Sequence, residues 1–239
     1  MKVLKFIGKL IVYLLGLFII ALGINVSKMA ALGISPVSSI PGVMDAIFNG
    51  ATIKIGSLTI TITLGVMVIA LYVLLVLAQL VVLGKKFRAI NALGVVVGFV
   101  FGYMVDIVGI DQKAIGHLLY GFSQSYAPQT FVMKLVFLAA SIVIIGIGVY
   151  VYLKPNLVPM PGEGLAQAIS TKTGKAFGNC KTIVDTSLII IAIVVQIIFL
   201  GGFASLNPFS DVRGVAGIGT IVSALLVGQV VKLLKKIFK

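Results

Sequence analysis

The sequence predicts an all-α integral membrane protein with six transmembrane helices arranged as two inverted three-helix repeats. Each repeat carries a short Gly/Pro-interrupted helix after its first span. Three observations predict this. Of the 239 residues, 60% are hydrophobic and only 10% are charged, whereas soluble domains carry about 25% charged residues. The apolar residues gather into six runs long enough to cross a bilayer. The two halves of the chain also carry the same order of elements.

A mean hydropathy of +1.21 leaves too little polar surface to cover a water-soluble globule. Tryptophan is absent and there is one histidine, so tryptophan stacking platforms and multi-histidine metal sites are excluded. The single cysteine, Cys180, can form neither an internal disulfide nor a multi-cysteine zinc site. The expectation is therefore no metal and no cofactor. The formal net charge is +13, yet the cations punctuate the apolar runs instead of forming one soluble face. That pattern sets membrane orientation, and no nucleic-acid partner is expected.

A hydrocarbon core about 30 Å thick takes roughly 20 residues of helix. Runs of that kind cover 7–27, 58–83, 91–110, 131–153, 182–204 and 214–234. The first has a basic start like a signal peptide, but it outruns the usual apolar core of about 7–15 residues and lacks a good small-residue cleavage site. It is read as a span. The second opens on L-T-I-T-I-T-L, which alternates with the period of a strand. A helix from near Ser57, with Thr59 and Thr63 on one face, is the expectation; a short strand ahead of the helix is the alternative.

The lysines orient the spans. With the N-terminus inside, 14 of the 19 basic residues lie on inner segments. Lys28, Lys54, Lys113, Lys134 and Arg213 fall outside. Both termini are thus expected in the cytoplasm.

An offset of 125 lays R-A-I-N-A-L-G (88–94) over R-G-V-A-G-I-G (213–219) and Ser35-Pro36 over Met160-Pro161. A smaller offset lays G-S-L-T-I (56–60) over G-N-C-K-T (178–182). The units are residues 1–110 and 131–239, with 111–130 as an outer interfacial connector. Three spans per unit is an odd number, so the second unit must lie upside down, as in many secondary transporters.

The Gly/Pro loops are where chemistry is expected. Ser38 or Ser39 could cap a helix over 41–48 that opens with Pro41. Its counterpart lies near 165–171, preceded by Gly162–Gly164. Free N–H groups at such helix starts can hold an anionic or polar ligand group. The expected substrate-binding residues are Ser35, Ser38, Ser39, Glu163 and Gln167. Two amphipathic surface helices are the plainer alternative, with Glu163 serving only as a structural cap.

Asp185 and Asp106, acids at span ends, are candidate coupling positions; Lys181 could pair Asp185 locally. Gln196 needs a polar partner within its apolar span. Gly94, Gly98 and Gly102, with Gly217, Gly219 and Gly228, are expected to form the packing seam of the repeats. In the connector, Ile115, Leu118, Leu119 and Phe122 recur at helical spacing, with Tyr120 and Tyr126 at headgroup depth and His117 interfacial. The lysines of the tail, Lys232, Lys235, Lys236 and Lys239, would attract anionic lipid. There is no nucleophile elbow, phosphate-binding loop or zinc-protease motif, so no enzyme activity and no ATP-driven step by this chain alone are expected.

V-P-M-P-G-E-G-L-A-Q-A-I-S-T-K-T-G-K-A-F-G-N-C-K and G-V-A-G-I-G-T-I-V-S-A-L-L-V-G resemble the YczE/YyaS/YitT group of bacterial membrane proteins. The similarity is sharpest at Lys172–Gly174, Phe177–Gly178 and Gly217–Thr220. In the first half Ala92–Val95 stands where the second has G-I-G-T. The resemblance implies a six-span protein of the bacterial inner membrane and no defined reaction. The reading that follows is a permease for a small solute, working by alternating access between the two units. The alternatives are a substrate-capturing subunit that engages an ATPase module, for which Gly16 and Gly23 make a poor docking stripe, and a membrane-embedded accessory protein. Association with a second copy as a homo-oligomer is compatible with each reading.

Overall fold

The computed structural model describes residues 2–202, 204 and 215–238. Arg213, and with it the start of the 213–219 alignment, lies outside the described residues. Among the described residues six helices are long and apolar enough to cross a membrane: α1 (Lys2–Ala30), α3 (Leu64–Leu83), α4 (Ala89–Ile107), α6 (Phe131–Leu153), α8 (Phe177–Phe199) and α9 (Ile218–Ile237). Between them lie α2 (Pro36–Phe48), a hairpin of β1 (Thr52–Ile55) and β2 (Leu58–Thr61), α5 (Tyr120–Tyr126) and α7 (Pro161–Thr173). Large apolar side chains such as Leu74, Val81, Val136, Ile198 and Leu225 point outward, as in a multi-pass membrane protein.

The centre of the molecule is the antiparallel pair of α1 and α6. Gly16 lies on the backbone of Tyr152, Gly23 on Ile145, and Gly148 on Ile20. The two numbers in each pair sum to 168, the signature of an antiparallel register. Without side chains at these positions the backbones approach closely, which is how helices associate where no hydrophobic drive distinguishes lipid from protein. Gly94, Gly98 and Gly102 work the same way, but they pack α4 on Val76, Tyr72 and Ile69 of α3. Their seam is thus internal to the first half. Gly217 and Gly219 meet the Leu32 carbonyl, whereas a Cβ on Gly228 would meet nothing within 4 Å.

Three sequence expectations are corrected. Residues 58–61 are a strand, paired Thr52 to Thr61 and Lys54 to Thr59, and α3 starts at Leu64 instead of near Ser57. The alternation decides this: Gly56, at φ +62°, supplies the first position of a two-residue hairpin turn, and the Thr63 hydroxyl then accepts the Val66 N–H to cap α3. The match of 56–60 to 178–182 fails with it, since 178–182 is the first turn of α8. The connector is helical only over Tyr120–Tyr126, so Ile115 and Leu118 share no helix face with Phe122. Residues 116–119 instead turn back, their N–H groups donating to the carbonyls of Asp106, Ile107 and Gly109. They satisfy a helix end that would otherwise be left with orphan acceptors.

The short helices are longer than the sequence suggests. They start at Pro36 and Pro161, not near 41 and 165, because a proline at the first helical position loses no bond there and already has helical φ. They match each other closely at the offset of 125. Both have 13 residues, a proline start and a left-handed C-cap, Asn49 and Gly174, whose N–H bonds Asp45 and Ser170 respectively, each at 2.9 Å. The loops ahead of them turn through Ala31 (φ +54°) and Asn156 (φ +51°), again 125 apart.

Packing is also paired between halves. Helix α2 lies on α8 as α7 lies on α3; α1 meets α4 as α6 meets α9; α4 touches α7 as α9 touches α2. One pair breaks the pattern: α3 and α4 are closely packed, while α8 and α9 scarcely touch.

Candidate functional site

Each loop returns along the span it follows, so its short helix starts inside the bundle. In the first half the Ser27 hydroxyl donates to the Gly33 carbonyl, 3.0 Å, and the Ile34 N–H donates to Val215. In the second half the Tyr13 hydroxyl holds the Val158 carbonyl at 2.8 Å, and the Gln79 amide holds that of Pro161 at 3.1 Å. The two helix starts consequently face each other, with Gly162 against the Val37 side chain.

They open into one cavity of about 330 Å³. Ser35, Val37 and Ser38 of the α2 start line it, as do Met160, Gly162 and Glu163 of the α7 start. Helix α8 adds Lys181 and Asp185; α9 adds Ser223 and Gly228 across the gap that separates it from α8. The remaining wall is mostly apolar, with Ile20, Ile24, Tyr72, Phe101 and Ile145. Neither helix start has a side-chain cap; the first turn of α7 carries Glu163, whereas that of α2 has no acid, so the positive end of the α2 dipole reaches the cavity without a built-in partner.

Of the expected binding residues, the structure brings Ser35, Ser38 and Glu163 together here. Ser39 is buried beside them, but its hydroxyl donates to the Pro36 carbonyl at 2.6 Å. Gln167 faces a separate cavity of about 630 Å³ shared with Lys85, Lys86 and Arg88. Asp185 is in the central cavity and is paired with Lys181 at 3.0 Å, as the i,i+4 spacing suggested. Asp106 is remote from it. Far from being hydrated, it is 2% exposed and accepts the Thr63 hydroxyl at 2.5 Å and the Gly65 N–H at 2.9 Å. It ties α4 to the start of α3.

Glu163 accepts a hydrogen bond from the Tyr152 hydroxyl, and Tyr152 packs edge-on against Tyr13 at 5.9 Å. Burial holds the Glu163 carboxyl above the ordinary carboxylate range, with Lys181 pulling against that rise and Asp185 adding to it. No ammonium of the described residues forms an ion pair with Glu163.

Ser223 was missed in the sequence. It is fully buried, it lines the cavity, and its Oγ is without a hydrogen-bond partner. The only signal was its place three residues after Thr220 in an apolar span, a spacing that shares a helix face. Among the described residues no three His, Cys, Asp or Glu gather as a metal site. Cys180 is buried, and the His117 ring sits outside the cavity, its Nδ1 at 3.1 Å from the Ala114 carbonyl.

No curated protein and no solved structure matches the chain. One family model does, over residues 7–236, and its description is a family of unknown function (DUF6198). With almost the whole chain matched, this membrane protein belongs to that family.

Proposed function

We propose that the protein is a secondary carrier for a small polar solute in the bacterial inner membrane, both termini cytoplasmic. Two inverted units, residues 1–110 and 131–239 joined by the connector 111–130, rock about the central cavity. The observation that carries this reading is the meeting of two uncapped helix starts, 125 residues apart, in one cavity with Glu163 and the Lys181–Asp185 pair. Interrupted helices in matching positions of two halves are the mark of a transporter site. The repeated left-handed positions and the exchangeable packing pairs support the inverted relation. The likeness to the YczE/YyaS/YitT group belongs to the same proposal.

The unequal pair also fits. If the halves alternate, at any moment one must be closed where the other is parted, as α3–α4 and α8–α9 are. Gly16 and Gly23 are covered by α6 and offer no docking stripe to a second membrane subunit, which favours a self-contained carrier over a subunit of an ATP-powered importer. No covalent chemistry is assigned to the site.

The test is uptake by proteoliposomes offered a panel of radiolabelled amino acids, organic acids and amines, beside protein-free liposomes. Saturable uptake is expected, and it should be lost in Gly228→Leu. That side chain meets no neighbour at Cβ, so the variant keeps its fold and crowds the cavity. Uptake equal to that of protein-free liposomes for the whole panel, or uptake untouched by Gly228→Leu, would overturn the carrier.

A further inference from the structure

The central cavity presents two unmet demands of opposite sign. One is for an anion or hydrogen-bond acceptor. The first turn of α2 has no side-chain cap, its Ser38 is buried at the cavity wall, and the Ser223 hydroxyl of α9 is fully buried with no partner. A buried hydroxyl left unpaired is costly unless something fills its place. The other demand is for a cation. Glu163 has a tyrosine hydroxyl as its hydrogen-bond partner, while Lys181, which lines the same cavity, is committed to Asp185 at 3.0 Å.

We infer that the solute is a small zwitterion, an amino-acid-like molecule with an apolar body. Its carboxylate is received by the α2 start and Ser223, and its ammonium by Glu163. This rests on the carrier's cavity as described above and names what it holds. The charges close: with Glu163 ionised, Lys181–Asp185 is neutral as a pair, and the ligand ammonium balances the glutamate. The ligand carboxylate is left to the dipole of α2 and the serine hydroxyl, which stabilise an anion without a formal charge. An inorganic anion would leave Glu163 without a cation, and a simple amine would leave Ser223 and the α2 start without an acceptor. The walls of Ile20, Ile24, Tyr72, Phe101 and Ile145 fit an aliphatic or aromatic side chain. A volume of about 330 Å³ sits at the small end of ligand pockets, which run from about 300 to 1,000 Å³.

Calorimetric titration of the detergent-purified full chain tests this with L-alanine and L-leucine. Each of three probes lacks one feature of leucine: 4-methylpentanoate has no ammonium, 3-methylbutylamine no carboxylate, and leucinamide no negative charge. At least one amino acid is expected to bind saturably, with the stripped probes weaker by about tenfold or more. Ser223→Ala should weaken amino-acid binding by about ten- to a hundredfold, the worth of one hydrogen bond to a charged group, and leave any amine binding unchanged. Binding of neither amino acid, equal binding of 4-methylpentanoate or the amine, or an indifferent Ser223→Ala would each overturn the inference. The probe comparison needs no variant, so a folding failure cannot mask the answer. Uptake of a non-zwitterion by proteoliposomes would sink the inference and leave the carrier standing; amino-acid binding without any uptake would do the reverse.

Discussion

Tyr152 on α6 donates its hydroxyl to the carboxyl of Glu163 on α7, and this contact joins the central helix pair to the start of the second short helix. The glutamate is held above its ordinary range chiefly by burial. A carboxyl raised in the folded state contributes stability that is fully present below its unfolded value, here 4.5, and lost as pH rises through the folded value. Glu163→Gln keeps an acceptor for Tyr152 but has no proton to lose. Melting temperatures in detergent should therefore diverge with rising pH, the wild type falling relative to the variant from about pH 4.5 upward. Parallel curves between pH 4.5 and 8 would show that Glu163 is solvated like any surface acid.

The α1–α6 seam depends on its glycines. A Cβ at Gly23 would meet the Ile145 backbone nitrogen at 2.9 Å, and main chain cannot step aside as a flexible side chain does. Gly23→Leu should cost at least the ~1–3 kcal/mol of an overpacked core. Gly8→Leu, where a Cβ meets nothing within 4 Å, should be neutral. Size-exclusion profiles after extraction report the difference; equal monodisperse yields would mean that the seam can open to admit a side chain.

The spans were legible because length and hydropathy determine them: the fourth span, 131–153, is α6 with the bounds read from the sequence, and the others shift by a few residues at their ends. The helix starts were less legible. Proline at the first helical position is a strong signal, but Pro36 and Pro161 each compete with another Gly or Pro a few residues on, and the later one was read as the start. The hairpin was visible in the alternation of residues 58–64, but the long apolar run after it made one continuous helix the simpler expectation. Gln196 could be marked as needing a partner, though not which one. Its Oε1 accepts the N–H groups of Val215 and Ala216 at 2.8 and 2.7 Å, and its Nε2 donates to the Ala216 carbonyl. Those groups are 19 and 20 residues away, brought near only by the fold. Of the site, three of the five expected residues meet in the cavity. Ser223 was beyond reach because the cavity-facing and lipid-facing sides of α9 are equally apolar.

At the end of the bundle where α1 finishes, four charges from distant segments interlock. Asp45, 2% exposed, lies 2.7 Å from Lys28 and 2.7 Å from Lys113; Lys28 also pairs with Asp111, which is 38% exposed. Asp45→Ala would strand the Lys113 ammonium and leave Lys28 with Asp111 alone, and should cost about 3–5 kcal/mol. Asp111→Ala removes a solvated partner and should cost no more than about 1 kcal/mol. Thermal denaturation of the two variants separates these cases. Equal losses would mean that Asp45 is as well hydrated as Asp111 and that the cluster does not fasten α2 to α1 and the connector.

Those pairs also order the chain across the bilayer. They place residues 28, 45, 111 and 113 at one end, which is the end opposite the start of α1. The antiparallel register then sends α6 back toward the start of α1, so the loop after it, near Asn156, lies at the other end. Most cations sit at that other end, among them Lys9, Lys85, Lys86, Lys154 and Lys235, and the positive-inside rule predicts that it faces the cytoplasm. Reporter domains active only outside the membrane should therefore be active when inserted at residues 50 and 112, and silent at 156 and after the C-terminus. A silent reporter at 112 would place an even number of spans in the first half. Two units with even counts lie the same way up, and the inverted arrangement, with the alternating access built on it, would be lost.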